Sequence, residues 1–584
     1  MTRHARHGTA RALAFARLDT TTPPAPSSPR TASTAGRPRA ATGLLERLGL
    51  GPFELAVGGL LALLALFMLA DSLQVALRTD RVVWGSDNPV VGDGAQYLAL
   101  IWDASHDLVV GNPFDGLPDE GPGIVHPGWV STGLLHALGL PTALALLAFK
   151  PLAILAVFLG AHLYTRRLLA DRFQRRAALV IGLFLLSPVA AGWLLYLLAT
   201  GGIGPFGSDG RQLLSMAREL FPLAQLWGYY WAALAIGLMP LSLLAYERAR
   251  RPDAPRRWLV GAAAAAALCA WLHPWQGVTL LGTVAAAELV RRPLPPLRAT
   301  ARTLLPYLAA GFAPLLYLYV LTIVDDVSAQ ISALLEGGYW PAHVMAAALL
   351  PVILPALLAY RVPARDFQQR AVRWWLPMAL FVYVQPAGTF RNHAIEGLAL
   401  PLAVLMVVGV SAVDWGRVAG ALRPIRVRRA VAVGLVVLFC VPGTVMHLWV
   451  VHNSVTSVTA PPLLEPGEDR ALEALRDDPR AGTVLAPGGL TLLVPGIAHR
   501  EVWSSGLGWT PNWTRRAVAA EELFGGELEP AEARALVRRS GARFLLADCK
   551  PHRADLRADL APVLRDVHEF GCARVYEVDL AGAG

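Results

Sequence analysis

Apolar residues in this chain fall in runs of about 16 to 24, long enough to cross a hydrocarbon core as helices. Eleven runs are legible, near 53–74, 150–169, 177–199, 223–246, 257–272, 275–290, 303–323, 342–360, 373–387, 397–414 and 429–450. The pair near 257–290 is short and is split at LHPWQG, where Pro274 and Gly277 break a helix. The connections alternate. The even-numbered ones read YTRRLLADRFQRR, YERARRPDAPRR, ELVRRPLPPLRATAR, YRVPARDFQQRAVR and WGRVAGALRPIRVRR, all rich in Arg. The odd-numbered ones, 75–149, 200–222, HPWQG, DDVSAQISALLEGGYWPA and GTFRNHAIEGL, hold little Arg and much of the remaining polar chemistry. Loops with excess Arg stay in the cytoplasm. The pattern therefore predicts a polytopic α-helical membrane protein of about eleven transmembrane helices in the plasma (inner) membrane. Its N-terminus is expected in the cytoplasm and its C-terminus outside.

Three regions follow. Residues 1–50, rich in Arg, Pro, Ser, Thr and Ala without apolar periodicity, read as a disordered cytoplasmic tail. Residues 51–452 form the membrane domain, with 75–149 as a long first extracytoplasmic loop. The second half of that loop, HPGWVSTGLLHALGLPTALALLAF, is expected to lie along or dip into the outer leaflet. Lys150, where the second run begins, reads as a snorkelling side chain. In 453–584 the pattern changes. Helical stretches (EDRALEALRDD, NWTRRAVAAEELFGG, EPAEARALVRR) alternate with strand-like ones (GTVLA, ARFLLAD, ARVYEVD), which predicts a small extracytoplasmic α/β domain.

Composition agrees with a membrane protein. Of 584 residues 54% are apolar and only 16% charged, and the mean hydropathy is +0.44. The net charge of +9 does not point to nucleic acid, because the Arg residues sit in short clusters between apolar runs. Four Cys are present: Cys269 and Cys440 in apolar runs, Cys549 and Cys572 in the C-terminal region. Two readings of the latter pair stand open. They form a disulfide if ARFLLAD and ARVYEVD are antiparallel neighbours; otherwise they are two separate small core residues. Asn512-Trp513-Thr514 also matches a glycosylation sequon, a short motif that often arises by chance.

Ionisable residues inside spans usually mark ion or proton paths. Here Asp71, Glu288 and Asp414 fall near span ends, so the candidate chemistry lies at the membrane surface. Asp93 opens a helical pattern in which Tyr97, Leu98, Ile101 and Trp102 make an apolar stripe. It reads either as a general base for a hydroxyl acceptor or as an ordinary helix cap. Asp87, Asp103, His106, Asp107 and His126 share its loop. Carboxylates there, Asp93 and Asp87 above all, are candidate ligands for a divalent metal, Mg or Mn; the other reading is a solvated polar loop. Arg218 with Glu219, and Arg391 with His393 and Glu396, place charge in two further odd-numbered loops. A guanidinium there suits a lipid-linked phosphate, or else anchors to headgroups and pairs with its neighbouring Glu. His273, beside Pro274, reads as packing.

The loop GDGAQYLALIWDASHDLVVGNPF, the stretch HPGWVSTGLLHALGLPTALALLAFKPLAILAVFLGAHLYTRRLL, the HPWQG hairpin, FRNHAIEGLALPLAVL and TPNWTRRAVAAEELFGGELEPAEARALVRRSGARFLLAD resemble the GT-C membrane glycosyltransferases. The likeness covers most of 53–584 in architecture. It implies a polyprenyl-phosphate sugar donor and an envelope glycan or glycoprotein acceptor. It also implies that Asp93 matches the first-loop acid, which serves as base or metal ligand. The family's paired acid is replaced here by Gly94, and its HPPLY-like stretch by His126-Pro127-Gly128-Trp129. His126, His393 and Glu396 join Arg218 and Arg391 as expected contacts to the lipid carrier. A lipid-linked sugar flippase and a non-catalytic envelope assembly protein are the competing readings.

Overall fold

The computed structural model describes residues 40–115, 123–200, 210–293, 297–325, 328–329, 332, 340–385, 390–418, 424–456, 463–506 and 509–579. The expected disordered tail lies outside them as far as residue 39, and so do parts of the odd-numbered connections. The chain divides into two units, Met1–Gly51 and Pro52–Gly584. In the first, Ala40–Leu48 is helical (α1) although the whole of 1–50 was expected to lack structure. Leu44, Leu45 and Leu48 supply a short apolar stripe that composition alone obscured.

The second unit begins with α2 (Pro52–Ala65) and α3 (Phe67–Thr79), bent by 41° to one another. The short strand β1 (Val82–Val83) leads to α4 (Val91–Ala104) and α5 (Pro127–Ala137). Next come α6 (Thr142–Leu147), α7 (Lys150–Leu168), α8 (Arg172–Phe184) and α9 (Pro188–Thr200). The run expected to be one span at 177–199 is thus broken. Pro188 lacks an N–H and disfavours helix in the residue before it, so α8 stops at Phe184. After α10 (Gly210–Leu220) and the turn α11 (Pro222–Gln225) follow α12 (Tyr230–Ala249), α13 (Arg256–Leu272), α14 (Pro274–Leu289) and α15 (Leu297–Val324). The membrane part closes with α16 (Ala342–Leu357), α17 (Phe367–Val384), α18 (Ala399–Ala412), the turn α19 (Trp415–Val418) and α20 (Ile425–Thr456).

Among the described residues six helices are long and apolar enough to cross a membrane, or seven if α2 and α3 make one bent span. They make this an integral membrane protein. Small residues let its helices approach closely, as lipid-embedded packing requires. A Cβ on Gly237 of α12 would lie 2.4 Å from the Ala156 carbonyl carbon of α7. On α13, Ala262, Ala266 and Cys269 recur at helical spacing and are fully buried. Ser242 of α12 donates to the Ala262 carbonyl at 3.0 Å across that seam.

Beyond α20, β2 (Leu463–Leu464) pairs antiparallel with β1, tying the C-terminal region to the first loop. It is followed by α21 (Pro466–Asp477), β3 (Val484–Leu485), α22 (Leu490–Ile497), α23 (Trp513–Gly525), α24 (Pro530–Ser540), β4 (Phe544–Ala547), β5 (Leu564–Phe570) and β6 (Ala573–Val578). A four-stranded sheet runs in the order β3-β4-β6-β5, with β3 parallel to β4 and the other pairs antiparallel. Leu523, Phe524, Leu536, Val537, Leu545 and Tyr576 fill its core. Strand β5 was not anticipated, because LRDVHEF has charged residues on the face it leaves exposed. Cys549 and Cys572 are joined by a disulfide at the ends of the antiparallel pair β4 and β6. It closes a loop of 23 residues in sequence, so replacing both Cys by Ser is expected to destabilise this region by about 3 kcal/mol. Denaturant unfolding of the oxidised protein and the double variant measures the difference.

This region docks on the loop that carries Asp93. A Cβ on Gly496 of α22 would lie 2.8 Å from Leu98 Cβ of α4. Asn112 donates to the Trp509 carbonyl at 2.8 Å, Thr510 donates to the Phe114 carbonyl at 2.6 Å, and Arg516 pairs with Asp115 at 2.7 Å.

Candidate functional site

Between the first loop, the starts of α12 and α14, the segment before α18 and the C-terminal region lies a cavity of about 1360 Å³. Asp93, Arg218, Glu219, His126, His273, His393 and Glu396 all line it. Residues from four separate connections thus meet in one place.

Asp93 is not the cap of its helix. Helix α4 starts at Val91 after Val90, and Asp93 lies within the first turn. Its Oδ2 accepts a hydrogen bond from the Tyr229 hydroxyl at 2.5 Å. The Arg218 guanidinium lies over the Tyr229 ring, 5.7 Å from its centroid, and 3.9 Å from Glu219. Tyr229 therefore bridges the cavity's acid and its cation.

His393 Nδ1 lies 2.5 Å from Glu396 Oε1 and 3.3 Å from Glu219 Oε2. His273 Nε2 lies 3.4 Å from Glu396 Oε2. On its other side His273 Nδ1 meets Gln276 Oε1, while Gln276 Nε2 donates to the carbonyls of His393 and Glu396 at 2.9 and 3.0 Å. The backbone leaves helix at His273, which caps α14 ahead of Pro274. Burial pushes the His273 imidazole down to about 3, with His393 adding to the effect. His126 precedes Pro127 at the cap of α5, and its ring accepts from the Trp129 N–H at 3.4 Å. Burial lowers it to about 4 against a bond to the Leu272 carbonyl, so it is neutral.

The remaining walls are aromatic and apolar. Trp129, Trp231, Trp271, Trp275, Trp509 and Trp513 face the cavity. Leu315, Leu316, Tyr319 and Thr322 extend it along α15, where Phe312 and Tyr319 are 55% and 61% exposed.

Other expected residues lie elsewhere. Arg391 is buried and does not line the cavity, so its expected contact with a lipid phosphate is not met there. Asp87 is fully engaged: one carboxylate oxygen pairs with Lys150 Nζ and the other accepts from the Tyr230 hydroxyl. It is not among the residues that line the cavity. Lys150 does not snorkel; it is 2% exposed and also donates to the Leu226 carbonyl at 2.9 Å. A lysine that finds a carboxylate inside the protein has no reason to reach for the interface. Asp103 accepts from the Gly111 N–H at 2.5 Å, Asp107 from the Val109 N–H at 3.1 Å, and His106 packs on Trp102. These loop residues close local turns. The two candidate metal ligands thus hold separate partners, Asp87 with Lys150 and Tyr230 and Asp93 with Tyr229, and of the two Asp93 lines the cavity.

Tyr229 and Gln276 went unremarked in the sequence. The His273-Gln276 spacing of three residues, straddling a helix-starting Pro, is the signal that was available for the latter.

The sequence matches no family model, and no curated protein matches it. Solved structures do resemble it. The oligosaccharyltransferase of Archaeoglobus fulgidus, in its apo form, superposes with a TM-score of 0.51 at 13% identity, spanning 85% of this chain and 69% of that one. The arabinofuranosyltransferase AftD from Mycobacteria gives 0.51 at 16% identity, spanning 92% of this chain and 42% of that one. At these identities the likeness is one of fold alone, shared with these two transferases.

Proposed function

We propose that the protein transfers a sugar from a polyprenyl-phosphate donor to an envelope glycan or glycoprotein on the outer side of the plasma membrane. In this reading the chain crosses the bilayer eleven times, residues 1–50 are cytoplasmic, and 453–584 form an outer domain covering the site. The observation that carries it is the shared cavity of Asp93 and Arg218, joined through Tyr229 and continued by an apolar wall on α15. A prenyl chain needs such a wall, and a phosphate needs a cation that stays charged.

The donor phosphate faces Arg218 and its tail follows Leu316 and Tyr319. Asp93 accepts the proton of an acceptor hydroxyl as that oxygen bonds to the sugar C1. The C1–O bond to phosphate breaks, polyprenyl phosphate leaves, and C1 inverts. Arg218 stabilises the charge gathering on the leaving phosphate. With Arg391 outside the cavity, that role falls on Arg218 alone of the two arginines.

The test uses purified protein in detergent and a panel of polyprenyl-phosphate monosaccharides, and follows release of polyprenyl phosphate. A flippase makes no product without a membrane, so release supports transfer. Arg218→Gln is expected to lower kcat/KM by about 10²- to 10³-fold without changing thermal stability. No release from any donor, or an unchanged rate in that variant, counts against the reading.

A further inference from the structure

We infer that His273, His393 and Glu396 bind one divalent transition-type cation of the zinc class in the cavity wall. One donor atom from each lies within 4.8 Å of the other two, and all three residues line the cavity.

The argument starts with Gln276. Its Nε2 faces two backbone carbonyls, which can only accept, so that atom is the amide nitrogen. Its oxygen therefore faces His273, and His273 must donate from Nδ1. That fixes the tautomer and leaves a lone pair on Nε2, which points at Glu396 Oε2, 3.4 Å away. Glu396 is 2% exposed, and this oxygen has no hydrogen-bond donor among the described residues. Two buried acceptors thus face each other at 3.4 Å, where their lone pairs repel. Either a proton or a cation belongs there.

Geometry favours the cation. Two ligands on a tetrahedral zinc at 2.0–2.1 Å bonds lie about 3.3 Å apart, close to the observed 3.4 Å. A third donor, a ring nitrogen of His393, lies within 4.8 Å of both. The hydrogen bond from the second ring nitrogen of His273 to an amide oxygen is the outer-shell support that metal-bound histidines show. Gln276 also ties the backbones of His393 and Glu396 to that support, so one side chain positions the whole set. Two imidazoles and one carboxylate suit zinc, whereas magnesium prefers all-oxygen surroundings. The site is distinct from the Asp93–Asp87 pair and does not depend on sugar transfer.

The test takes tag-free full-length protein in detergent, strips it with chelator, and adds zinc chloride or magnesium chloride before gel filtration and elemental analysis. The expected result is about one zinc per chain, a higher melting midpoint with zinc, and neither effect with magnesium. His273→Gln and Glu396→Gln should retain at least tenfold less zinc while eluting as the wild type does. Gln276→Leu should weaken zinc by about 10- to 100-fold, and Asp93→Asn should keep it. Wild-type protein retaining less than a tenth of an equivalent, or both ligand variants retaining as much as wild type, overturns the inference and leaves a proton between His273 and Glu396.

Discussion

Asp93→Asn is expected to reduce sugar transfer by about 10²- to 10⁴-fold, the range a positioned general base supplies. The substitution is nearly isosteric. Its amide oxygen can still accept from Tyr229, whose hydroxyl holds Asp93 Oδ2 at 2.5 Å. What it loses is the ability to take a proton. Because the cap of α4 is Val90 and not Asp93, no helix-capping bond is removed, and thermal stability should stay within about 0.5 kcal/mol of the wild type. The loss should appear in kcat, with donor KM little changed, since Arg218 and the apolar wall are untouched. Tyr229→Phe separates positioning from proton transfer. It leaves the carboxylate intact but frees it to rotate, so a partial loss is expected that grows no larger than that of Asp93→Asn. A full rate of polyprenyl-phosphate release by Asp93→Asn would remove Asp93 from the chemistry.

How far the sequence reveals this site depends on the kind of interaction. Asp93 and Arg218 were visible because a polar residue in an otherwise apolar chain is conspicuous. Their meeting was a matter of tertiary geometry: 136 residues separate Asp93 from Tyr229. Arg391 has a local appearance similar to that of Arg218, a cation within five residues of a Glu in an odd-numbered loop, yet Arg218 lines the cavity and Arg391 does not. Sequence spacing carries no information on which way the short helical turn at Arg391–Ile395 faces. Apolar periodicity located the helices well but not their interruptions. The break before Pro188 follows from a rule that the run of apolar residues around it concealed. Strand β5 was hidden for the opposite reason, since Arg565, Asp566, His568 and Glu569 are exposed while Leu564 and Val567 pack on the core. His273 looked solitary because its partners, Glu396 and His393, lie more than a hundred residues away.

Asp87→Asn is expected to cost about 3–5 kcal/mol of stability, because it strands the buried Lys150 ammonium without a counter-charge. Both side chains are almost fully buried. The neutral amide keeps an acceptor for Tyr230 but cannot offset a positive charge in a low-dielectric interior. Adding Lys150→Met to Asp87→Asn should recover at least half of the loss, with the remainder reflecting the Leu226 carbonyl, which then lacks its donor. Melting of the two single variants and the double variant in one detergent gives the coupling; additive losses would mean that the pair is not a unit. The consequence reaches the site. Tyr229 and Tyr230 are neighbours at the start of α12, and their hydroxyls donate to Asp93 and Asp87 respectively. Just before them Gly228, at φ +79°, lets Asn88 approach so closely that a Cβ would sit 2.4 Å from the Asn88 Cβ. The first loop is thus pressed onto this one turn by two carboxylate–tyrosine bonds and a glycine contact. Weakening the Asp87 half should loosen the Asp93 half. Asp87→Asn should therefore lower transfer even though Asp87 never touches the cavity, and the double variant should restore transfer in step with stability.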